Sequence, residues 1–79
     1  MNAMKIYDAY EKIMEQGQDS ANDKVLNGIE AFSLPEDTLV HLRGEGVELT
    51  VLSTHRIRLG YNQTEFRDRF LEKLATLTQ

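Results

Sequence analysis

The sequence predicts an α+β fold, a two-layer sandwich in which helices cover one face of a three-stranded antiparallel sheet. Three observations predict it. Both ends of the chain carry apolar residues at helical spacing, residues 38–60 alternate with a period of two, and no repeat or linker divides the 79 residues. The chain is therefore read as one small domain, 1–79, with residues 1–3 as a frayed tail.

The first helix is expected over about 4–16. Ile6, Tyr10, Ile13 and Met14 share a face with Tyr7 at its edge, and Lys5, Asp8, Glu11, Lys12 and Glu15 lie elsewhere. Gly17 is placed to end it in a left-handed cap.

Residues 21–32 admit two readings. Ser20 with Asp23 resembles a helix start, and Ala21, Val25, Ile29 and Phe32 recur at helical spacing with Phe32 in the core. Asn27-Gly28, between Val25-Leu26 and Ile29, is a type I′ hairpin signal. The flanking runs are short and alternate weakly, so a second helix over 21–32 is predicted. Leu34-Pro35 closes the segment on either reading.

Strands are expected over about 38–43, 47–52 and 56–60. With Glu45-Gly46 as a two-residue turn, Gly44 faces Val47, Arg43 faces Glu48, Leu42 faces Leu49, His41 faces Thr50 and Val40 faces Val51. Charge then meets charge and apolar meets apolar, whereas a slip by one sets Leu42 against Glu48. A Ser53-Thr54-His55 loop places Val51 opposite Ile57 and Leu49 opposite Leu59. The last helix is expected over about 63–77, with Asn62 as cap, Glu65 completing a capping box and Tyr61 with Phe66 as a hydrophobic staple. Phe66, Phe70, Leu74 and Leu77 form its buried stripe.

Composition narrows function. The absence of cysteine removes disulfides and thiolate chemistry and favours a reducing cytoplasm, so a cytoplasmic location is expected. No apolar run exceeds two residues and no signal-peptide pattern opens the chain, so neither a membrane span nor a secretory signal is expected. Net charge is −4, yet all five arginines fall in the second half. An acidic chain is a poor general binder of nucleic acid, because phosphate attraction dominates that affinity.

The predicted register gathers His41, Arg43, Glu48, Thr50, Arg56 and Arg58 on the sheet face away from the helices. Leu39 and Leu52 are expected opposite one another on that face, as a small apolar spot rimmed by arginine. Arginine's planar fork suits carboxylates and phosphates. Strand residues 38–60 contain no aromatic for base stacking.

Catalytic and metal signals are weak. His41 and His55 are the only histidines, no HxH, HxxxH or HExxH spacing occurs, and both are expected at the surface. "RGEG" is explained by the hairpin, and adjacent Ser53, Thr54 and His55 do not make a convergent triad. No cofactor, metal or catalysis is expected. The sequence points to a small non-catalytic protein-interaction module whose exposed sheet face binds an acidic or mixed protein surface through Arg43, Arg56, Arg58, Leu39, Leu52 and His41. Nucleic-acid or phosphate-ligand binding through the same arginines is the alternative, and a homodimeric structural protein the second.

Overall fold

The computed structural model describes residues 3–21 and 23–78. Helix α1 (Ala3–Gln16) is followed by six strands, β1 (Gln18–Ser20), β2 (Asp23–Leu26), β3 (Ile29–Phe32), β4 (Val40–Gly44), β5 (Val47–Ser53) and β6 (Arg56–Tyr61), and then by α2 (Thr64–Leu77). Each strand pairs antiparallel with the next, so the sheet is a six-stranded meander in chain order. The α+β class and the two helical ends stand, whereas the three-stranded sheet is overturned by six strands.

The correction arises at residues 21–32, which form a hairpin and not a helix. Asn27 and Gly28 have φ of 55° and 75°, the two left-handed residues of a type I′ turn, and Leu26 pairs with Ile29 across it. The helical spacing was coincidental. Ala21 falls in a turn, Val25 and Phe32 point to the bare face, and Ile29 alone enters the core. Further stabilisation comes from outside the hairpin. Asn27 donates from Nδ2 to the Lys73 carbonyl (3.3 Å) and to Thr76 Oγ1 (3.1 Å), which fastens the turn to α2. The second type I′ turn, Glu45-Gly46 (φ 50° and 80°), is fastened to the same helix by the Glu45–Lys73 ion pair.

The register expected between β4 and β5 is the one observed, from Val40 opposite Val51 to Gly44 opposite Val47. Between β5 and β6, Leu49 faces Leu59 and Val51 faces Ile57 as expected, but Ser53 faces Arg56, so the loop is only Thr54-His55 and the register shifts at Leu52.

Ile29, Ala31, Leu42, Val47, Leu49 and Val51 line the covered face and are almost wholly buried against Ile6, Ala9 and Ile13 of α1 and Phe70, Leu74 and Leu77 of α2. Met14, expected on the apolar face of α1, is 43 % exposed. Three smaller expectations also change. Ala3 is buried in the first turn of α1 and not part of a tail, while Met1 and Asn2 lie outside the described residues. Gly17 has no positive φ. It is glycine because a Cβ would press on the Ile13 carbonyl oxygen and come within 2.9 Å of that of Val25. Helix α2 is capped by Gln63 without a side-chain hydrogen bond, so the Asn62–Glu65 capping box does not form, and Tyr61, displaced from the staple position by the shifted cap, carries Arg67 on its ring (5.3 Å).

Candidate functional site

Helices cover one face of the sheet, and the other is bare. Two rungs cross that face. One runs Gln18, Val25, Glu30, Arg43, Glu48, Gly60, and the next runs Phe32, His41, Thr50, Arg58. Glu30, Phe32 and Asp23 belong to the strands the sequence reading took for a helix, and they change the character of the surface.

Arg43 is the clearest case. Its Nε donates to Glu30 Oε1 at 2.6 Å, its Nη2 stands 3.8 Å from Asp23 Oδ2, and its guanidinium lies 4.3 Å from the Phe32 ring centroid. The hydrogen bond from Arg43 holds the Glu30 carboxyl below its ordinary range. Asp23 is pushed up, first by its hydrogen bond to Glu30, then by desolvation and by the Glu30 charge. Arg43 is therefore matched within the chain, and the face is not the arginine-rich patch that the second half of the sequence suggests.

His41 is the second correction. It is buried, not a surface residue, and stacks on Phe32 with centroids 5.1 Å apart. Its Nε2 lies 3.0 and 3.2 Å from the two Asp37 carboxylate oxygens and its Nδ1 lies 3.2 Å from Thr50 Oγ1. A carboxylate only accepts, so Nε2 donates to Asp37, while Nδ1 shares a hydrogen bond with the Thr50 hydroxyl. The order carboxylate–imidazole–hydroxyl is that of a catalytic relay. Thr50, however, sits mid-ladder between His41 and Arg58, where its backbone serves the sheet and forms no oxyanion hole. What the arrangement does is tie the 33–39 loop to β4 and β5. Phe32, expected in the core, supplies the stacking surface.

The Asp37 carboxyl is held below its ordinary range by the hydrogen bond with His41 and then by the Leu39 N–H. A depressed folded-state value stabilises the fold above the unfolded value, about pH 4. That contribution is lost as pH falls through the folded value. Asp37→Asn should therefore lower the melting temperature at pH 7, and the gap from wild type should close in melts taken below about pH 3.

Arg58 differs from Arg43. Among the described residues it has no hydrogen bond or ion pair. It lines a groove of about 360 Å³ with Phe32, Leu34, His41, Thr50 and Gly60. A broader trough of about 730 Å³ adjoins it and also includes Arg43, Glu48 and Gly60. Gly60 lines both depressions and lifts no side chain off the sheet there. Arg56 is exposed at the start of β6. The β4–β5 ladder ends at Val40–Val51, so Leu39 and Leu52 lie just beyond its last pair, and Leu34 is the leucine in the groove. Arg58→Ala should cost under about 0.5 kcal/mol in chemical denaturation. Arg43→Ala should cost roughly 1–2 kcal/mol, kept modest by solvent screening of its half-exposed guanidinium.

Among the described residues no three His, Asp or Glu side chains could hold a metal ion, and no helix is long and apolar enough to cross a membrane. Residues 1–79 match the family described as protein of unknown function (DUF3081), and the chain belongs to that family. No curated protein and no solved structure matches the chain.

Proposed function

For this member of the family we propose a non-catalytic protein-interaction module of the cytoplasm, which binds a partner protein on the bare sheet face and along the β6 edge. The observation that carries this reading is the contrast between two arginines on one face. Arg43 is matched by Glu30 and Asp23, whereas Arg58, unpaired among the described residues, lies in a groove lined also by Thr50, Gly60, Phe32 and Leu34. An unpaired guanidinium beside apolar surface suits a partner carboxylate flanked by apolar groups. The Phe32 ring, already engaged by His41 and Arg43, leaves little platform for a nucleic-acid base.

A photoreactive benzophenone side chain in place of Leu34, and separately in place of Met14 on α1, tests this in cells. The groove position should give a protein adduct and the helix position should not. Adducts from Met14 alone would overturn the reading. Adducts at Leu34 that nuclease removes would replace it with nucleic-acid binding.

A further inference from the structure

We infer that the partner is a second copy of this chain, joined edge to edge through β6 so that Arg58 of each copy crosses Gly60 of the other to reach its Glu48. This rests on the reading of the bare face and its edge as the contact surface.

The two edges of the sheet differ. β1 is three residues long and wholly exposed, with a polar sequence (Gln-Asp-Ser). β6 is six residues long, and it exposes one row of backbone groups because no strand pairs beyond it. Proteins usually blunt such an edge with proline, brevity, a cover, a bulge or charge. β6 has no proline, is not short and is covered by no strand; a register shift lies only at its start, and its charges, Arg56 and Arg58, need an opposite charge if the edge is to pair. Its covered-face residues Ile57 and Leu59 are half-buried and Tyr61 is 40 % exposed, so the core is unfinished on this side.

A two-fold axis through an antiparallel pair sets one residue of β6 against its own copy. Centring on Arg58 opposes two guanidiniums. Centring on Ile57 opposes Arg56 and Arg58. Centring on Gly60 pushes Ile57 beyond the strand. Leu59 remains. It meets Leu59, Ile57 meets Tyr61, and the apolar layer continues from one copy into the next. On the bare face Arg58 meets Gly60, whose other neighbour is Glu48. Two strand spacings, about 10 Å, then separate the Arg58 backbone from that of Glu48 in the second copy. An arginine and a glutamate side chain span this together when nothing stands between them.

Gly60 supplies that clearance, and nothing within one chain requires glycine there. Its φ is not positive, and a Cβ would meet only the Glu48 carbonyl oxygen at an ordinary 4.0 Å. Glycine also weakens strands, so its place within the longer edge strand is unexplained by the monomer. Glu48 completes the match. Among the described residues it forms no hydrogen bond or close ion pair, and it influences Arg43 only at longer range.

Charge reversal tests the pairing. Light scattering at high micromolar concentration should give the wild type twice the 9.1 kDa chain mass. Arg58→Glu sets glutamate against Glu48, and Glu48→Arg sets arginine against Arg58, so each variant alone should dissociate at least about tenfold more readily. An equimolar mixture satisfies both contacts and should recover the dimer, which no effect within a single chain can produce. Gly60→Val should retain the native circular dichroism and lose the dimer. A wild type of one chain mass, single variants that stay dimeric, or a mixture that fails to associate would each overturn the inference. A monomeric wild type that still gives a Leu34 adduct with a different protein would sink self-pairing alone and leave the contact-face reading standing.

Discussion

Phe70→Ala should lower the unfolding free energy by roughly 3–5 kcal/mol, the largest loss expected from any single truncation in this chain. Phe70 is the largest fully buried side chain and stands on α2, the helix to which both type I′ turns are fastened. The cavity would open in the buried cluster that Phe70 shares with Val47 and Leu49 of the sheet. A domain of this size has little stability to spare, so a loss of that order brings the midpoint of urea unfolding close to zero denaturant. A cost below about 1 kcal/mol would mean that α2 is not docked as described.

Gly44→Val should cost roughly 3 kcal/mol, at the upper end of what overpacking does. Gly44 has no unusual φ, so the reason is steric. A Cβ at this position would stand 2.6 Å from the Gly28 carbonyl oxygen, a backbone atom that no side-chain rotation can move. β4 would have to separate from the Asn27-Gly28 turn, and the bonds from Asn27 to α2 would be strained with it. Gly60→Val is the contrasting case within one chain, since its Cβ meets only the Glu48 carbonyl oxygen at an ordinary 4.0 Å and valine favours strands. Urea titrations of the two variants in dilute solution, where the proposed dimer contributes nothing, should move in opposite directions from wild type.

The sheet was legible where its residues argue with one another across strands. Arg43 facing Glu48 and Leu42 facing Leu49 admit one register, and that register is the observed one. β1 gave no comparable signal, because Gln18, Asp19 and Ser20 are poor strand formers. They are strand only because the β2 edge lies beside them, with Lys24 paired to Asp19. In β2 and β3 four residues are too few to display a period, and the tether from Asn27 to α2 is invisible before the chain folds.

The candidate site inherited that ambiguity. Placing Asp23, Glu30 and Phe32 in a helix removed from the bare face the three groups that neutralise and stack on Arg43, so the surface looked more basic than it is. His41 followed the same logic: its position in the strand was readable, while its burial depends on Asp37 folding back from a seven-residue loop and on Phe32 from the neighbouring strand. Arg58 and Glu48 were both placed correctly on the bare face from alternation alone, and Gly60, which could have been noticed as a glycine inside a strand, was not.

The proposed contact surface is the bare sheet face with its β6 edge, and not the helical layer. The most direct measurement is an amide chemical-shift map of the wild type from dilute to concentrated solution. Concentration-dependent shifts are expected over residues 57–61, at Glu48 and at Thr50, with α1 unmoved. Shifts gathered on α1 around the exposed Met4 and Met14, with β6 silent, would contradict it.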